Sequence, residues 1–183
     1  SEELRLRTAE ATQRVGAIRQ RLGHTREAVR ACQRAIGLFR EIGSRFPNDS
    51  DLTLKTAQVE NDLGRLFMSG RQFAKARQAY LAALALLQTT AVHPSAPRAL
   101  QFELARTYFL LGLPERPLPT TVAPQGGGLP PESNERRDFL NKAVALLRAL
   151  AATLPADPEC QHLLALCYLE GAPVPEDGGQ GAW

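Results

Sequence analysis

The chain is poor in what most functional classes require. Among 183 residues there are three cysteines (Cys32, Cys160 and Cys167), one methionine and one tryptophan, and aromatic side chains make up 6%. An odd, sparse set of cysteines excludes a disulfide-stapled secreted domain and favours a reducing compartment. No apolar run approaches the ~20 residues that cross a bilayer, and no leader segment is visible at the start. The expectation is a soluble, cytoplasmic domain with no membrane association. The missing initiator Met, with Ser1 already inside a helix-like pattern, suggests a piece of a longer protein or a processed form. The length suits one domain with a sizeable core.

Alternating strand patterns are also lacking, and so are catalytic motifs. Gly126-Gly127-Gly128 has no Gly-Lys-Ser/Thr and follows no strand, so it is no phosphate loop. Arg136-Arg137-Asp138 comes without Asp-Phe-Gly, a glycine-rich loop or a strand lysine, so it is no kinase catalytic loop. Cys160, His162 and Cys167 share one predicted helix. Cysteines seven apart there stand about 10.5 Å apart along the axis, too far for one metal ion or a disulfide. His24 and His93 fall in turns. These readings predict no enzyme, no cofactor, no metal and no small-molecule substrate.

Helical spacing is what the sequence does contain. Leu4, Ala11, Val15, Ile18 and Leu22 form one stripe, and Val29, Cys32, Ile36, Phe39, Ile42 and Phe46 a second. Leu52, Val59, Leu63 and Leu66 continue the pattern, as do Phe73, Ala76, Tyr80, Ala83 and Leu87. Turn chemistry separates the stripes at Gly23-His24-Thr25, Pro47-Asn48-Asp49, Gly70 and His93-Pro94-Ser95, with Thr25, Ser50 and Ser95 as expected N-caps. The helices recur in register. Gly16, Gly64 and Gly112 lie 48 residues apart, as do Ala9, Ala57 and Ala105. Ala28 and Ala35 return as Ala76 and Ala83, and Pro47 as Pro94 with a one-residue slip.

After Gly112 an insertion, 113–132, holds six of the 13 prolines and the glycine run. Its composition predicts a flexible loop. The register then resumes: residues 141–147 echo 81–87, Thr153-Leu154-Pro155 echoes Arg45-Phe46-Pro47, and Leu163 to Gly171 echoes Leu104 to Gly112.

Small residues at a fixed period let paired helices approach closely, and each hairpin then needs a neighbour to cover its apolar face. The expected fold is all-α, with antiparallel helix hairpins stacked as an α-solenoid of seven helices. Units run about 1–47, 48–94 and 95–155, with a terminal helix at 156–171. Residues 172–183 form a flexible tail.

These positions carry a family resemblance. Leu63-Gly64, Phe67, Ala76, Tyr80 and Ala83, with Pro94 closing the unit, look like a tetratricopeptide repeat (TPR). Val15-Gly16, Gly23, Ala28, Ala35 and Pro47 look alike in the first unit, which departs by carrying Arg19 where the family prefers an aromatic residue and Cys32 where it prefers a large one. The period of 48 exceeds the family's usual ~34 and is similar to arrays attached to bacterial serine/threonine protein kinases.

The resemblance implies about three and a half repeats in a right-handed array: a protein-binding scaffold with signalling connections. It further implies a concave face lined by the first helix of each pair. Carried over from the shared glycines, that face holds Gln13, Ala17, Gln20 and Arg21, then Gln58, Asn61, Arg65 and Met68, then Arg106 and Phe109. Gln13, Arg21, Gln58, Asn61, Arg65, Arg106 and Phe109 are the expected contacts for a protein or peptide partner.

Charge supplies the alternative. Arginine outnumbers lysine 19 to 3, and residues 1–46 carry ten Arg against five acids. Arg7, Arg14 and Arg21 form a seven-residue stripe beside Arg26, Arg30 and Arg34, which would suit an anionic ligand. No aromatic residue interleaves with that stripe for base stacking, which disfavours nucleic acid. Self-association through an open terminal repeat is the third possibility.

Overall fold

The computed structural model describes residues 2–91, 95–114 and 131–173. Among them are seven helices and no strand: α1 (Glu2–Arg21), α2 (Thr25–Gly43), α3 (Ser50–Ser69), α4 (Phe73–Thr90), α5 (Arg98–Gly112), α6 (Pro131–Thr153) and α7 (Pro158–Leu169). The closest pairings are α1 with α2, α3 with α4 and α5 with α6; each pair then packs on the next, α2 on α3, α4 on α5 and α6 on α7. This is an all-helical array in which neighbours pack in succession. The greater part of the insertion (115–130), His93, Pro94 and the tail from 174 lie outside the described residues.

The repeated glycines mark where paired helices touch. A Cβ built on Gly16 would meet Cys32 Sγ at 3.2 Å, one on Gly64 would sit 2.6 Å from Tyr80 Cδ1, and one on Gly112 would sit 2.6 Å from Leu140 Cγ. Cys32 and Tyr80 are themselves 48 residues apart, and Leu140 follows Tyr80 by 60. The three crossings are therefore equivalent, with a net insertion of 12 residues in the third. Tyr80 closes the slot of its own hairpin. Ala28, Ala35, Ala76, Ala83 and Ala143 are fully buried along the second helices of the pairs, where any longer side chain would force the hairpins apart.

Several sequence expectations need correcting. α3 is capped by Asp49, whose carboxylate accepts from the backbone N–H groups of Asp51 (2.9 Å) and Leu52 (3.0 Å), so Ser50 is already helical. The N-cap of α2 is His24 and that of α5 is Pro97, neither with a side-chain cap bond, so Thr25 and Ser95 do not cap. Asp157, which stands where Asp49 stands in the register, caps α7 in the same way.

Gly171 does not reproduce the crossing of Gly112. α7 stops at Leu169, and Gly171 has φ +97° in open space, serving as a left-handed helix stop. The equivalent turn after α1 uses Gly23 (φ +77°), whereas after α3 it uses Arg71 (φ +55°), a strained choice for a residue with a Cβ. Leu4, Val15, Ile18, Leu22 and Phe46, which belong to the apolar stripes, are exposed.

Arg98 joins the last three helices. At the start of α5 it donates to the Leu150 carbonyl oxygen (2.9 Å) and Thr153 Oγ1 (3.0 Å) at the end of α6, and to Asp157 Oδ2 (2.6 Å) at the cap of α7. The guanidinium, aided by backbone N–H donors from Cys160 and Glu159, holds the Asp157 carboxyl down at about 2. That charge stays in place at all but strongly acid pH.

Candidate functional site

The first helices α3 and α5 pack against each other, and polar contacts link α3 to both α1 and α5. Lys55 of α3 bridges to Glu10 of α1 at 2.7 Å and to its own helix's Asp51 at 2.7 Å. Hydrogen bonds to Asp51 and Glu10 push the Lys55 ammonium above its ordinary value, so the bridge stays charged. Between α3 and α5 the link is interior. Asn61 Nδ2 donates to Glu103 Oε1 (2.7 Å) and to Thr107 Oγ1 (2.8 Å), while the Thr107 hydroxyl donates to the Glu103 carbonyl oxygen (2.8 Å). Asn61 and Thr107 are 0% exposed and Glu103 2%. Buried polar groups persist only when partnered, and two helices share this set. The Asn61 Oδ1 atom is left without a hydrogen-bond partner.

The expected contact residues divide accordingly. Asn61 is interior and its amide is spent on Glu103 and Thr107. Phe109 is likewise buried. Neither offers a free surface to a ligand, which corrects their placement on an open face. Gln13 and Gln58 are half-buried, and Ala17, Gln20 and Arg21 are exposed along α1. Arg65 is exposed and ion-paired with Asp62 three residues earlier. Arg106 pairs with the buried Glu103 at 3.5 Å.

Burial pushes the Tyr80 hydroxyl up to about 12, while the charges of Arg65 and Arg106 act on it in the opposite direction. The phenol stays neutral, and Met68 lies with Tyr80 and Leu110 on the wall of a small hollow.

Sequence reasoning missed Thr107, Glu60 and Arg98, and the burial of Glu103. Glu60 is buried, and its carboxylate takes Arg40 Nη2 of α2 at 2.6 Å. Burial raises the Glu60 pKa, opposed by Arg40. The available signal was a carboxylate on the apolar side of a helix, at the Thr56-Ala57-Val59-Glu60 and Leu100-Glu103-Leu104 positions.

The cysteine thiols are all buried, and burial pushes Cys32 and Cys167 up to about 11. They are therefore protonated packing groups at neutral pH. Among the described residues no group of three His, Cys, Asp or Glu side chains is placed to hold a metal ion, and no helix is long and apolar enough to cross a membrane. No protein-family model matches the chain, and no curated protein matches it.

Proposed function

We propose that this chain is a non-catalytic, TPR-like interaction module, stacked as a right-handed solenoid. It binds an extended segment of a protein partner along the face shared by α1, α3 and α5. The observation that carries the reading is the buried Asn61–Glu103–Thr107 set, which locks the first helices α3 and α5 together, with Arg65 on one and Arg106 on the other. Gln13, Gln58 and Arg21 extend the same polar face, and amides and guanidiniums suit peptide carbonyls and carboxylates. The exposed Arg65 is held by Asp62 by only about 0–1 kcal/mol, so a partner's carboxylate competes for it easily, whereas Arg106 is held more firmly by the buried Glu103. The resemblance of the sequence to arrays attached to bacterial kinases supports a role in cytoplasmic signalling.

Once a partner is isolated, Arg65→Ala combined with Arg106→Lys should weaken its binding at least several-fold, read by calorimetric titration. Lysine is chosen at 106 because Glu103 needs a cation near it, whereas Arg106→Ala would also destabilise the fold. Unchanged affinity in that pair, with loss on changing Arg14, Arg30 and Arg34, would move the function to the basic surface of α1 and α2.

A further inference from the structure

The apolar stripe of α1 faces away from the core. Leu4, Val15, Ile18 and Leu22 are 47–65% exposed. Add one period to Leu4, Ala11, Val15 and Ile18 and the positions become Leu52, Val59, Leu63 and Leu66, none more than 6% exposed. In α3 that face lies against the preceding hairpin: Lys55 reaches Glu10 of α1, and Leu52 approaches Gly43 of α2. In α1 no described residue takes that place. An open cleft of about 580 Å³ lies there between α1 and α2, floored by Thr8, Ala11, Val15 and Ala31 and edged by Arg30 and Arg34.

The charge around the cleft is unbalanced. All five acids of the first two helices have partners: Glu2 with Arg45, Glu3 with Arg7, Glu10 with Lys55, Glu27 with Arg19 and Glu41 with Arg5. Arg14, Arg21, Arg26, Arg30 and Arg34 are exposed and form no ion pair with any described residue. The repeat says what geometry fits this face, namely a helix packed as α2 packs on α3. The arginines say what chemistry it carries.

We infer that the outer face of α1 and α2 is a second docking site, for an amphipathic helix of a partner protein whose apolar stripe is flanked by Asp or Glu. It is separate from the α1–α3–α5 face and stands whether or not that face binds a peptide. A second copy meeting this face through its own is disfavoured, since five unpaired arginines would oppose five more. A nucleic acid would leave the four exposed aliphatic side chains uncovered.

The probe is a peptide of residues 25–43, the helix that packs on α3, synthesised with Arg26→Glu, Arg30→Glu, Arg34→Glu and Arg40→Glu. Titrated into the full chain and followed by fluorescence anisotropy, it should bind with an affinity that falls as salt rises. Ile18→Ser with Leu22→Ser in the full chain, and separately Arg30→Glu with Arg34→Glu, should each weaken it at least tenfold. These side chains are exposed, so helicity should be unchanged. Four results would overturn the inference: no binding; equal binding of the unsubstituted arginine peptide; tighter binding of single-stranded DNA or phosphatidylserine vesicles that ignores Ile18 and Leu22; or a concentration-dependent doubling of mass that Ile18→Ser with Leu22→Ser abolishes.

Discussion

Gly64→Ala should lower the melting temperature by about 4–8 °C, while Gly37→Ala raises it by about 2–4 °C, taking roughly 2–4 °C per kcal/mol for a chain of this size. Both glycines are helical, and in each case alanine gains up to about 1 kcal/mol of helix propensity. At Gly37 nothing lies within 4 Å of the new methyl group, so the gain stands alone. At Gly64 the methyl would fall 2.6–2.8 Å from Tyr80 ring atoms Cδ1 and Cζ. Tyr80 is buried on a rigid ring and cannot swing clear. Overpacking of this kind costs about 1–3 kcal/mol, and the upper end applies, leaving a net loss of about 2 kcal/mol. Gly112→Ala should also destabilise, because its methyl would meet the buried Leu140 Cγ at 2.6 Å and the Arg136 carbonyl oxygen at 3.3 Å, and Gly16→Ala should be milder, with Cys32 Sγ at 3.2 Å. Thermal denaturation followed by circular dichroism ranks the four.

Asn61→Leu should cost about 3 kcal/mol, a large part of a typical total of about 5–15 kcal/mol. Leucine fits the volume but removes the amide that serves Glu103 and Thr107, leaving a buried carboxylate with only Arg106 at 3.5 Å. Depriving a buried charge of its partner carries the desolvation penalty in full. If the loss comes from Glu103 being stranded, Asn61→Leu with Glu103→Leu should be less damaging than the sum of the single changes. A double-mutant cycle by urea denaturation should then give a coupling of about 1–3 kcal/mol. Additive losses would mean the two side chains act independently.

What was legible in the sequence, and what was not, follows from the range of the interactions. The repeated glycines announced the crossings because close approach removes the side chain at one position per unit, and a period of 48 survives in a linear text. The all-helical character was legible for the same reason. The exposure of the α1 stripe was not legible, because periodicity reports an apolar face without saying whether anything covers it.

Asn61 looked like a groove residue because an amide on a helix face reads alike whether it meets water or partners 42 and 46 positions away. Asp49 and Ser50 are both good caps, and only backbone geometry chooses between them. Gly171 kept the repeat's spelling but marks a helix stop, since α7 ends where the equivalent helices continue.

The most direct test of the repeated crossing is a cross-link at the first one. Gly16→Cys would place its Cβ about 3.2 Å from Cys32 Sγ, close to the separation a disulfide imposes. After mild oxidation, mass spectrometry of the digested protein should find residues 16 and 32 joined, with Cys160 and Cys167 still reduced. Val15→Cys, on the exposed side of the same helix, should stay free and react with iodoacetamide. An unlinked, alkylated Gly16→Cys together with a cross-linked Val15→Cys would contradict the account, because the glycine would then point away from α2 and the shared register would lose its physical basis.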